Sequence, residues 1–171
     1  MTEPMKYGQT EFEVHLPPEL IAAELEPNQV DLPQRTTAEH IRWALDHPID
    51  SAPLKELVKA GDKVCVVISD VTRRWQAPDT YLPILIGELE AAGVRDEDIL
   101  ILSATGTHRR QTEEEHIGLV TKPVYDRIRV EDHVCTDQDN LAYVGTTSRG
   151  TPVWLDKRAL ACDKIILTGG V

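Results

Sequence analysis

One stretch limits what this chain can fold into more than any other: Lys63-Val-Cys-Val-Val-Ile-Ser-Asp-Val-Thr-Arg-Arg-Trp-Gln-Ala-Pro78. Val64 to Ile68 is a short, unbroken run rich in β-branched residues, the pattern of a strand buried on both faces. It stops at Ser69-Asp70, and the next few residues bring a carboxylate, a hydroxyl and two guanidinium groups together. A helical pattern follows from Asp79, so Asp70, Thr72 and Arg73 fall at the carboxyl end of a parallel strand. Open α/β sheets bind ligands in that crevice.

The arrangement recurs. Asp98-Ile-Leu-Ile-Leu-Ser103 is a second apolar run, and it leads into Ala104-Thr-Gly-Thr-His-Arg109. Gly106 permits a tight turn or a close backbone approach to a ligand. His108 brings a side chain that titrates near neutral pH. If the two strands are neighbours, Asp70, Thr72, Arg73 and His108 converge on one rim. Between the runs, Leu82, Leu85, Ile86, Leu89 and Ala92 mark the apolar face of a helix, with Gly93 as its stop. Strand, helix and strand make a βαβ unit with a right-handed crossover.

The rest of the chain is less sharply written. Glu11 to Leu16 alternates as a half-buried strand with His15 on its polar side, and residues 19–35 read as loop with a helical turn around Glu19–Glu24. Thr36-Thr-Ala-Glu39 opens a helix, and Ser51-Ala-Pro-Leu54 predicts another capped by Ser51. Thr112 caps a helix whose three following glutamates sit at its positive end, where His116 reads as structural rather than as a metal ligand. Tyr125 to Val130 alternates as a strand, which makes His133, just past it, a weaker second candidate for the rim. Leu141 to Leu155 predicts a hairpin turning at Ser148-Arg149-Gly150, and Lys164 to Leu167 a strand entering a Gly-Gly turn. The expected fold is α/β: a Rossmann-like three-layer domain over residues 1–171, with a mostly parallel sheet and a β-hairpin near the C-terminus.

Composition narrows the function. A net charge of −11 argues against a non-specific nucleic-acid binder, whose partner is itself polyanionic. Arg73, Arg74, Arg109 and Arg110 on the rim suit a small anionic ligand, or else pair with neighbouring acids. No apolar run approaches the ~18 residues of a membrane span, and the N-terminus lacks the apolar core of a signal peptide, so the expected location is cytoplasmic. The three cysteines are too far apart for a zinc ribbon or a Cys-x-x-Cys pair, and no metal site is expected from them. Dinucleotide, P-loop and nucleophile-elbow signatures are all missing after the strands.

Several motifs together resemble a known family. Ser69-Asp-Val-Thr-Arg73, Ala104-Thr-Gly-Thr-His-Arg109, and Gly145-Thr-Thr-Ser-Arg-Gly-Thr-Pro-Val153 closing on Ile165-Ile-Leu-Thr-Gly-Gly170 look like the N-terminal domain of the nickel-pincer lactate racemases. The upstream segment from Ala44 to Leu54 is similar too, so the likeness spans nearly the whole chain. It implies a racemase or epimerase of 2-hydroxy acids, in which a nickel-pincer nucleotide takes a hydride from the α-carbon and returns it to either face. By that resemblance His108 is one of two acid/base residues, Arg73 helps hold the substrate, and Asp70 is a site carboxylate. Thr72 and the backbone of Thr105, Gly106 and Thr107 would contact the cofactor phosphate. The chain departs from the family pattern after Arg73, where Arg74-Trp-Gln-Ala77 precedes proline. The second histidine, the cofactor-tethering lysine and the nickel ligand are expected in a C-terminal, metal-carrying part outside these residues, and without it the domain is expected to be inactive. Two rivals remain: a non-catalytic binding module for a small anion or nucleotide, and a structural piece that docks through its last strand.

Overall fold

The computed structural model describes residues 2–8, 10–31 and 33–170. The chain forms two compact units, Met1–Gln34 and Arg35–Val171. In the first, β1 (Thr2–Tyr7) pairs antiparallel with β2 (Thr10–His15), and a 3-10 turn follows at Pro18–Leu20. The strand at Glu11 is as expected, but its partner β1 is not legible from the sequence. His15 is exposed and bonds through Nδ1 to the Thr2 hydroxyl at 2.9 Å.

The second unit begins with α1 (Thr37–Asp46). Thr36 accepts from the Glu39 N–H, and Glu39 accepts in return from the Thr36 N–H, so two orphan donors of the first turn are satisfied. The expected helix after Ser51 shrinks to one turn, α2 (Leu54–Leu57), entered from Pro53. Ser51 is no cap, because its hydroxyl donates to the carbonyl of Ala52. Then come β3 (Val64–Ser69), α3 (Pro78–Ala91) and β4 (Ile99–Ala104), followed by α4 (Glu113–Val120), α5 (Lys122–Tyr125) and β5 (Arg129–Asp132). The strand expected from Tyr125 therefore starts four residues late. Pro123 opens a helical turn instead, and Val124 and Ile128, four apart, both enter the core. The chain closes with β6 (Leu141–Thr146), β7 (Pro152–Asp156), α6 (Lys157–Leu160) and β8 (Lys164–Leu167).

β5, β4, β3 and β8 lie side by side in that order as a parallel sheet, and β6 pairs antiparallel with β7 as the expected hairpin. Strand alternation divides the sheet's apolar residues. Val64, Val66, Ile68, Ile99 and Ile101 face Leu82, Ile86 and Leu89 of α3 and Leu119 and Val120 of α4. Each such side chain contributes roughly 1.5–3 kcal/mol by leaving water. On the opposite face, Cys65, Leu100 and Leu102 meet Ala159 of α6, in a thinner layer. Burial pushes the Cys65 thiol up to about 12, so it behaves as a small hydrophobe there. Beside it an apolar groove of about 430 Å3 runs between Val67, Trp154, Leu160 and Leu167. Among the described residues no helix is long and apolar enough to cross a membrane.

Candidate functional site

The register of the sheet puts Ser69 of β3 opposite Ala104 of β4, so the chain leaves both strands at one edge, side by side. After β3 the backbone turns into a 3-10 segment, Val71–Gln76, capped by Asp70. The Asp70 carboxylate accepts the Thr72 hydroxyl at 2.6 Å and the Thr72 N–H at 3.2 Å. After β4 a tight turn forms: the N–H of His108 donates to the carbonyl of Thr105, with Gly106 at φ +60° between them. That left-handed conformation is the reason for glycine at this position. The turn swings His108 back, and its Nδ1 meets Oδ2 of Asp70 at 2.5 Å.

Asp70, Thr72, Arg73, Thr105, Gly106, Thr107 and His108 all line one open cleft of about 310 Å3, together with Ser69 and Ala104. The cleft thus brings together the residues expected to be catalytic and those expected to contact the cofactor. Their environments differ sharply. The Asp70 side chain is 5% exposed and that of His108 53%. Burial pushes the Asp70 carboxyl up, but the Thr72 hydroxyl and N–H and the His108 ring outweigh it and hold the group below its usual range. With Nδ1 fixed on Asp70, Nε2 of His108 has no partner among the described residues and is the ring nitrogen open to a ligand.

The arginines separate in the same way. Arg109 forms a two-pronged pair with Glu115 at 2.7 and 2.8 Å, and the Arg74 guanidinium lies against Gly118 of α4. Arg73 lines the cleft and engages no acid or acceptor among the described residues, so its fork is available for a carboxylate. Two of the residues expected near a cofactor are already engaged: the Thr72 hydroxyl and N–H donate to Asp70, and Thr105 donates through its N–H to the carbonyl of Ser103 and through its hydroxyl to that of His133. The backbone of the other two is freer. Gly106 and Thr107 make no hydrogen bond among the described residues, which leaves two successive N–H groups without a protein acceptor. Among the described residues no three His, Cys, Asp or Glu side chains are grouped to hold a metal.

His133 does not join this cleft. Its Nδ1 meets Oδ2 of Asp156 at 3.1 Å, and it lines the apolar groove on the other side of Ala104. His116 is buried and structural, bonded through Nε2 to Asp132 at 2.9 Å. Gln111, which the sequence gave no reason to notice, ties the rim together. Its side-chain oxygen accepts the Val71 N–H at 2.7 Å, and its amide nitrogen donates to Ser103 and Asp132, each at 2.8 Å.

Comparison with known proteins identifies the family and the fold. The sequence signature of the lactate racemase N-terminal domain matches residues 7–171. The lactate racemase of Lactiplantibacillus plantarum is 31% identical over 132 residues, covering 77% of this chain and 30% of the relative. That of Thermoanaerobacterium thermosaccharolyticum is 26% identical over 164 residues, covering 95% of this chain and 38% of the relative. The solved apoprotein of the latter superposes with a TM-score of 0.78 over 98% of this chain and 38% of that one, at 26% identity. A Thermotoga maritima protein shares the fold alone, at TM-score 0.60 and 24% identity over 77% of this chain and 33% of its own. The chain spans 30% and 38% of the two racemases it matches in sequence. It belongs to the lactate racemase N-terminal domain family.

Proposed function

We propose that this domain forms one wall of the active site of a 2-hydroxy-acid racemase or epimerase, holding the substrate and moving its hydroxyl proton. The observation that carries the reading is the Asp70–His108 pair beside a free Arg73 in one cleft. Asp70 fixes the ring so that Nδ1 carries the proton and Nε2 faces the reaction as a base. Arg73 takes the substrate carboxylate in its two-pronged grip and so orients the α-carbon and its hydroxyl. His108 accepts the hydroxyl proton as the α-carbon becomes a carbonyl, and gives it back when the C–H bond reforms on either face. A nickel-pincer nucleotide would supply hydride-accepting and hydride-donating chemistry toward the α-carbon. The paired N–H groups of Gly106 and Thr107 fit its phosphate. The second acid/base histidine, the tethering lysine and the nickel ligand belong to the remainder of the longer protein.

The test is racemisation of a panel of 2-hydroxy acids by full-length, cofactor-loaded enzyme carrying His108→Ala. Loss of turnover with the fold intact is the expected result. Retained activity would remove His108 from the mechanism. A second reading, a non-catalytic module for a small anion or nucleotide, draws on the Gly106–Thr107 N–H pair. It requires phosphate-bearing ligands to bind the full-length protein while no hydroxy acid is isomerised.

A further inference from the structure

We infer that Gln111 is a positioning residue that sets the separation of Asp70 and His108 by tying the turn after β3 to the loop after β4. The inference rests on the reading of that pair as the proton-transfer site. Apart from Asp70–His108 itself, the Val71 N–H to Gln111 bond is the hydrogen bond that joins these two segments among the described residues. Without it, the Val71 N–H at the start of the 3-10 segment has no acceptor.

The amide has one permitted orientation. Val71 offers only an N–H, so the side-chain oxygen must face it, and the NH2 must then face Ser103 and Asp132. Asp132 also takes the Gln111 backbone N–H at 2.8 Å, so three donors, counting His116, converge on one buried carboxylate. Burial pushes the Asp132 carboxyl up, but these bonds from Gln111 and His116 outweigh it and keep the group ionised. A fixed anion thus holds a neutral amide, which holds the backbone beside Asp70. The charged and titratable groups facing this assembly are His116 from α4, Glu131 and Asp132 from β5, Arg158 from α6, and Arg109 and Arg110 on the loop itself.

The arrangement makes a specific demand on substitutions. Gln111→Glu keeps the acceptor for Val71 but sets a carboxyl against Asp132, so the two must share a proton to reproduce the native bonds. Gln111→Ala loses the tie at every pH. In full-length, cofactor-loaded enzyme, Gln111→Ala is expected to lower kcat about 10- to 100-fold across the pH range, as misplaced catalytic groups do. Gln111→Glu should lose as much at high pH and recover toward wild type as pH falls. Wild-type kcat in either folded variant at all pH values, or a Gln111→Glu loss that does not change with pH, overturns the inference. A measurement on the unmodified protein guards against misfolding of the variants: the Val71 amide should exchange with solvent as slowly as those of β3, and fast exchange also overturns it. Full activity in His108→Ala would instead defeat the underlying reading, whatever Gln111 does.

Discussion

His108–Asp70 and His116–Asp132 are the same chemical pair at the same edge of the sheet, 2.5 and 2.9 Å long, with an Asp side chain 5% exposed in each. They differ in the histidine, 53% exposed in the first pair and 11% in the second. They also differ in what else the carboxylate holds. Asp132 collects donors from Gln111 and serves as an anchor. Asp70 is held by Thr72 and aims one ring nitrogen of His108 into an open cleft. A histidine–aspartate contact alone does not mark a reaction centre. What sets the first pair apart is access of its second ring nitrogen, in a cleft that also holds Arg73.

The sharpest way to break this comparison is to truncate both histidines in the full-length enzyme. His108→Ala should cost about 10²–10⁴-fold in kcat with little change in melting temperature, as the loss of a positioned acid/base group does. His116→Ala should do the reverse, lowering stability by about 1–3 kcal/mol through the under-satisfied Asp132 while the folded protein keeps turning over. Equal losses of turnover in both variants would show that exposure does not separate the two pairs. A smaller effect tests the arginines. Arg73→Lys keeps the charge but loses the fork, and should lower kcat/KM for a hydroxy acid by about 10- to 100-fold, mostly through KM. Arg109→Lys, with its partner at Glu115 and its head in solvent, should leave both constants unchanged.

The same contrast explains what the sequence discloses. β3 and β4 are legible because burial on both faces writes an unbroken apolar run, and Asp70, Thr72, Arg73 and His108 are legible because they directly follow such runs. The hydroxyls of Thr72 and Thr105 were recognisable as residue types, yet both donate inward, which spacing does not reveal. Gln111 is invisible for a similar reason: two of its three side-chain partners lie 40 and 21 residues away, and nothing local distinguishes it from an ordinary residue before a helix cap. Elsewhere local signals misled. β1 carries Pro4, which an edge strand tolerates, and its residues show no apolar alternation that would mark it as a strand. Tyr125 to Val130 alternates in sequence, but the fully buried positions there are Val124 and Ile128, at helical spacing, and the strand begins only at Arg129.

The third pair, His133–Asp156, sharpens the comparison through acid stability. Burial pushes the Asp156 carboxyl up, but the Arg158 guanidinium and the His133 ring outweigh it and bring it from the ordinary 3.8 to about 2. A carboxylate with a depressed folded pKa stabilises the fold fully above its unfolded pKa, and the contribution is lost as pH falls through the folded one. Asp156 should therefore contribute about 2 kcal/mol at neutral pH, lost between about pH 4 and pH 2. Asp70 is also held low, so its contribution is lost in the same direction. Unlike Asp156, it relies on an exposed histidine and a threonine rather than on a half-buried arginine. Asp156→Asn should remove the greater part of the acid limb of an unfolding curve, and Asp70→Asn a smaller part. A steeper loss of the limb in Asp70→Asn would mean that the cleft pair, for all its exposure, is the more strongly coupled to the fold.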